Sequence, residues 1–292
     1  MEKPTITTFT DPMMGLSYQS EPFFRQLETH YPNQLNFKTV MGGLVQNVYD
    51  WLDSEELNRL GEKQAIERYN QRLAKIYESE QGITGLPIKM PKLDLFSPER
   101  TSSLPLNLAY KAVELTEKAK AETFLYYLRY ATIVDVRPTT DLAEILNVVR
   151  QTGIDEQRFL QHYQNGSAQR QLDNDLAYKQ RLGVRGLPAY LFEYADKCLL
   201  INGVLNFEQF SHIISQLSNG QLHPQKPTIN EPSLKQFLQQ RALISVIEIQ
   251  YAFALATTTE ARTFLAPLVA NKEWQFINHD FLARVKGGFQ AG

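Results

Sequence analysis

A strand–helix–strand unit at the start of the chain constrains the fold more than any other feature. Thr5 to Thr10 is a short β-branched run stopped by Asp11-Pro12, which reads as a buried strand because proline cannot continue a ladder. Phe23, Phe24, Leu27 and Tyr31 recur at near-helical spacing, so one helix is predicted from Ser17 to the Pro32-Asn33 stop. Leu35, Phe37 and Thr39 then alternate with polar residues ahead of Gly42-Gly43, giving a second strand. Strands joined this closely by a helix form a βαβ unit with a right-handed crossover.

The remainder divides by periodicity. From Leu44 to Gly183 strand signals are few, and a stripe of Leu108, Ala112, Leu115, Ala119, Phe124, Leu125 and Leu128 predicts one long helix over Leu106–Ala131. Shorter helices are expected at Thr140–Thr152, Asp155–Tyr163 and Ala168–Leu182, with Gly153 and Asn165-Gly166 as stops. Ala189–Glu193 and Cys198–Asn202 read as a hairpin, and Asn206–Leu217 as a helix burying Phe207, Phe210, Ile213, Ile214 and Leu217. Pro224, Pro227 and Pro232 mark residues 221–232 as a linker. Beyond it, residues 233–292 read as a separate small unit. An apolar helix is expected over Leu243–Leu255, then a capping box of Thr257 and Glu260 opening a helix to about Lys272, then an alternating strand pair over Trp274–Val285. That order is winged-helix-like.

Composition removes several function classes. A formal charge of -2, from 30 basic and 32 acidic residues, gives no general attraction to nucleic acid or an anionic membrane, so neither is an expected partner. The predicted second helix of the tail carries only Arg262 and Lys272 as cations, a poor reader of phosphates. No run of about 18 apolar residues exists, and the first residues lack the basic start and apolar core of a secretion signal, so a cytoplasmic protein is expected. The chain has one cysteine, Cys198, which excludes an intramolecular disulfide and a two-thiol redox cycle. His30, His162, His212, His223 and His279 are scattered with no metal-ligand spacing, so no metal is expected.

Two short motifs point to a family. The strand ends in Thr10-Asp11-Pro12, then Met13-Met14-Gly15-Leu16-Ser17-Tyr18, then Glu21-Pro22; farther on stands Gly183-Val184-Arg185-Gly186-Leu187-Pro188-Ala189. The first resembles the active-site turn, and the second the cis-proline loop, of the DsbA-like branch of the thioredoxin superfamily, which includes the FrnE-like dithiol-disulfide isomerases. The resemblance implies an α/β thioredoxin-like domain formed by residues 1–43 and 184–220, with residues 44–183 as its all-helical insertion. It also implies a cis bond before Pro188 and a backbone edge at Leu187 able to pair with an extended peptide. In the family a helix N-terminus stabilises a thiolate in a Cys-x-x-Cys turn. Here the cysteine positions are Met14 and Ser17, and neither side chain can serve in disulfide exchange.

Two functional readings follow from the resemblance. In the first, the protein is redox-inactive and binds a protein or peptide at Met14, Ser17, Tyr18, Leu187 and Pro188; the added tail then makes it similar to the adaptors that present Spx to the ClpXP protease in Gram-positive bacteria. In the second, it resembles the kappa-class glutathione transferases and related isomerases, with glutathione as cofactor along Leu187-Pro188 and Ser17 steadying its thiolate. Plainer roles stand beside these: Ser17 as a helix N-cap, Met14 as packing, Cys198 as a small hydrophobe in a strand, and Tyr126, Tyr127 and Tyr130 either lining a cleft that faces the turn or sitting at a core edge.

Overall fold

The computed structural model describes residues 3–285, so the ends of the expected 1–43 and 233–292 units lie outside the described residues. Strand β1 (Thr5–Thr10) runs into α1 (Gly15–Gln19) and α2 (Glu21–His30), and β2 (Asn36–Met41) follows. The helix predicted as one piece is therefore two. Pro22 has no amide proton to give the carbonyl of Tyr18, so the first helix closes at Ser20 and a new one starts with proline in its first turn.

The insertion opens with α3 (Ser54–Leu60) and α4 (Glu62–Glu80) and continues with α5 (Leu104–Glu117) and α6 (Ala121–Arg129). The single helix expected over Leu106–Ala131 is interrupted. At Glu117 the backbone leaves the helical region, and its carboxylate instead holds Lys120 at 2.9 Å and the Asp155 amide at 3.1 Å. A π-helical turn at Tyr130–Val134 then leads to α7 (Leu142–Gln151), α8 (Glu156–Gln164) and α9 (Ser167–Arg181), close to the predicted spans.

The chain then returns to the sheet with β3 (Ala189–Tyr194), β4 (Lys197–Asn202) and α10 (Phe207–Leu217). Strand order is β2-β1-β3-β4, with β1 and β2 parallel and the other pairs antiparallel. One face packs Ile6, Tyr190 and Phe192 against Phe23 and Leu27 of α2 and Phe210 and Ile214 of α10. Phe210 meets the rings of Tyr190, Phe24 and Phe192 at 5.0, 5.5 and 5.8 Å, and such aromatic pairs add roughly 0.5–1.5 kcal/mol each beyond area burial. The other face buries Phe9, Val40 and Leu191 against Tyr178 of α9. The insertion has its own larger core, around Tyr110, Phe124, Leu128, Val148, Phe159 and Leu172.

The tail differs from its sequence reading in three ways. Its first helix, α11 (Glu231–Leu238), starts inside the expected linker, because the Asn230 side chain caps it by accepting the Ser233 amide at 2.9 Å. The apolar run from Leu243 is not one helix but β5 (Leu243–Ser245) followed by α12 (Val246–Ala252), since Ser245 and Glu248 form a reciprocal capping box there. Then come α13 (Thr258–Ala270), β6 (Trp274–Phe276) and β7 (Phe281–Arg284) in a three-stranded sheet of order β5-β7-β6. Thr257 does cap α13, but the Glu260 carboxylate accepts from the Ala256 amide, not that of Thr257, so the predicted box is displaced by one residue.

The tail has a core of its own, with Leu234, Ile249, Leu265, Trp274 and Leu282, and also packs on the body: Leu243, Phe281 and Ala283 belong to the insertion's core, and Phe281 meets Tyr130 edge-on at 4.8 Å. A buried ionic cluster completes the seam: Arg25 of α2 bonds Glu21 at 2.7 Å and Glu248 of α12 at 3.0 Å, while Arg241 reaches Glu28. Among the described residues no helix is long and apolar enough to cross a membrane.

Candidate functional site

The turn after β1 is organised by Asp11. Its fully buried carboxylate accepts the Met13 amide at 3.1 Å on one oxygen, and on the other the Leu44 amide at 2.7 Å, the Ser103 hydroxyl at 2.8 Å and the Asn107 amide group at 2.8 Å. Burial pushes this carboxyl above the usual range, and these hydrogen bonds pull it part of the way back. One acid thus joins the turn, the exit from β2 and helix α5.

Met14 is the N-cap of α1, and its amide donates to the Asp11 carbonyl at 3.1 Å. Ser17 is therefore not the cap. It lies inside α1, 4% exposed, and its oxygen accepts the Thr10 hydroxyl at 2.7 Å, while Arg129 of α6 donates to Thr10 at 2.8 Å. Burial, rather than this bond, limits access to Ser17, whose hydroxyl proton is not used by the contact with Thr10. Tyr18, 2% exposed, donates to the Pro87 carbonyl at 3.0 Å, and Gln19 donates to the Leu86 carbonyl at 2.8 Å.

The second motif lies beside the first. Phe9 pairs with Ala189, and the Leu187–Pro188 peptide bond is cis. Gly42 lies between the two motifs: its amide donates to Thr10 at 2.7 Å, and a Cβ on it would stand 2.6 Å from Leu187 Cδ1. Any larger residue at 42 would force the Leu187 side chain out of its present position. Pro188 is buried and its carbonyl accepts the Gly203 amide at 2.8 Å, whereas Leu187 is half-buried. Among the described residues the Leu187 amide and carbonyl enter none of the backbone hydrogen bonds of turns and loops, which leaves a backbone edge.

What the sequence did not signal is the cover over this turn. Tyr77 of α4 donates its hydroxyl to the Met13 carbonyl, and the Glu80 carboxyl lies directly on Gly15. Met14 is only 6% exposed, so of the five expected binding residues Leu187 alone is not buried. A glycine at the first of the two positions between the missing cysteines was the one local hint, because a side chain there would collide with Tyr77 and Glu80.

Tyr126 and Tyr127 of α6 line a cleft of about 700 Å³ between the sheet, α2, α6 and the tail, which Thr10 and Glu21 at the two ends of the turn also line, and Tyr126 donates there to Glu248. Tyr130 faces the tail and accepts from Asn278 at 3.1 Å. Cys198 also departs from its reading: β4 is an edge strand and the thiol is exposed rather than packed as a small hydrophobe. Among the histidines, His30 stacks edge-on at 4.9 Å from Phe207, and burial lowers its pKa. The described residues contain no group of three or more His, Cys, Asp or Glu that could hold a metal ion.

Comparison with known proteins agrees with this geometry. The family model described as Thioredoxin matches residues 7–212. A curated relative, the ClpXP adapter protein SpxH of Staphylococcus aureus, is 24% identical over 145 residues, covering 49% of this chain and 54% of the relative. The chain thus spans about half the length of the curated relatives it matches. Among solved structures, one from Nitrosomonas europaea described as a protein disulfide isomerase aligns with a TM-score of 0.57 at 21% identity, covering 75% of this chain and 97% of that one. The cytosolic disulfide reductase DsbM of Pseudomonas aeruginosa aligns with a TM-score of 0.51 at 16% identity, covering 74% and 94%. At these identities the two structures establish the fold alone.

Proposed function

This chain belongs to the thioredoxin family, and we propose that it works there as a redox-inactive recognition protein that holds a protein or peptide partner beside the former active-site turn, in the manner of an adaptor. The observation that carries this reading is the pairing of a retained backbone edge at Leu187 with a turn in which Met14 and Ser17 replace both thiols. The edge can pair with an extended strand whatever that strand's side chains, and the chemistry that would act on a bound disulfide is missing. The similarity to a ClpXP adapter supports a protein partner and a cytoplasmic setting. Ser17, which is buried, gives the glutathione-dependent alternative no accessible hydroxyl.

Two measurements test the proposal. Insulin reduction by the purified chain is expected to stay at the uncatalysed background; turnover that persists in a Cys198→Ser variant would overturn the redox-inactive part. For recognition, the chain is expected to retain a stoichiometric protein partner from lysate and to speed degradation of an Spx-type substrate by ClpXP. An unchanged degradation rate with no partner retained removes the adaptor reading.

A further inference from the structure

The turn is covered by one helical turn of the insertion, and the seat of that cover is chemically unusual. Gly15 lies so close to α4 that a Cβ on it would stand 1.9 Å from Glu80 Oε2 and 2.6 Å from Tyr77 Cδ1. Tyr77 is fixed by its hydrogen bond to the Met13 carbonyl. Glu80, by contrast, is fixed by nothing polar: its Oε2 is buried with no hydrogen-bond partner. It is also the last residue of α4, where the helix dipole disfavours a negative charge.

The surroundings offer that charge no compensation. The titratable groups that act on Tyr77 at this seat are Glu80 itself, Asp11 after β1 and Tyr69 on α4, none of them cationic. No described cation forms an ion pair with Glu80. We propose that the C-terminal turn of α4 is a proton-dependent cover over residues 13–18, seated on Gly15 and released when the Glu80 carboxyl ionises.

Desolvation acts in the required direction, since burial lifts the Glu80 carboxyl from an ordinary 4.5 to about 7. A carboxyl whose pKa is raised in the covered state stabilises that state fully at pH below its uncovered value, and this stabilisation is lost as pH rises through the covered value. Opening should therefore grow by up to about tenfold per pH unit between roughly pH 5 and 7, and level off above. The cover is a regulation of the recognition surface proposed above, and it rests on that reading for its purpose only.

Hydrogen exchange of the free chain tests it with no partner present, so a failed cover and a failed adaptor are told apart. The amides of Met14 and Tyr18, bonded to the Asp11 and Met14 carbonyls at 3.1 Å, are the reporters. Comparison with Glu80→Gln at each pH cancels the intrinsic pH dependence of exchange. The wild-type chain is expected to lose protection relative to Glu80→Gln by about tenfold per pH unit between roughly pH 5 and 7. Gly15→Ala, whose methyl group occupies the seat, is expected to be unprotected at every pH. Parallel profiles for the wild type and Glu80→Gln would overturn the proposal, as would a folded Gly15→Ala chain as protected as the wild type; should Gly15→Ala not fold, the Glu80→Gln comparison decides.

Discussion

Glu248→Ala is expected to destabilise the folded chain by about 3–5 kcal/mol, with the C-terminal unit loosening before the rest. Glu248 is fully buried and serves three donors from three parts of the molecule: Arg25 of α2 at 3.0 Å, the Tyr126 hydroxyl of α6, and the Ser245 amide at 2.9 Å within its own capping box. Burial opposes the charge on Arg25, but Glu28, Glu21 and Glu248 outweigh it and hold the guanidinium more firmly protonated than usual. Alanine removes one of those supports and leaves the Tyr126 hydroxyl and the Ser245 amide without acceptors, and the cost of stranded buried donors exceeds the net worth of the pair. Urea unfolding gives the magnitude, and limited proteolysis within residues 221–229 reports whether the tail detaches first. A midpoint shift equivalent to less than about 1 kcal/mol would mean that the apolar contacts of Phe281 and Leu243, not the ionic cluster, hold the tail in place. Breaking the exposed Arg150–Glu156 pair provides the control and is expected to change nothing measurable.

Asp11→Ala is the second substitution with a large expected cost, roughly 3–5 kcal/mol, because four buried donors lose one acceptor together. Asp11→Asn should rescue part of it. An asparagine that sets its carbonyl oxygen toward the Leu44 amide, Ser103 and Asn107 keeps three of the four donors bonded and turns its amide group only on the Met13 amide, where a donor already stands. The diagnostic result is therefore an Asn variant that unfolds between the wild type and Ala. If Asn were no more stable than Ala, accepting the three donors on one oxygen would not be the role of residue 11. Since Asp11 also positions the Met13 amide beneath Tyr77, both variants should raise exchange at residues 13–18.

Local patterns made much of the fold legible. The β-branched run of β1, the alternation in β2, the hairpin of β3 and β4 and the stripe of α10 are short-range signals, and the structure places each within a residue or two of its predicted span. Misreadings fell where two local signals compete. Leu243–Leu255 is apolar enough for helix or strand, and what divides it is the S-x-x-E signature at Ser245–Glu248, which closes a reciprocal box where the T-x-x-E pattern at Thr257 does not. Similarly, Ser17 suited a cap until Met14, one turn earlier, proved to hold that position.

That two thiols are missing from a thioredoxin-type turn and that a Gly-Leu-Pro loop accompanies it can be read from residue identities at fixed local spacing. Whether that turn meets solvent depends on packing between distant segments. Its cover comes from Tyr77 and Glu80, its internal bracing from Ser103, Asn107 and Arg129, and the tail's attachment from Arg25 with Glu248. These contacts join residues tens to hundreds of positions apart. No periodicity within one segment encodes them, since they arise only when separately formed helices pack together and each buried polar group must find its partner.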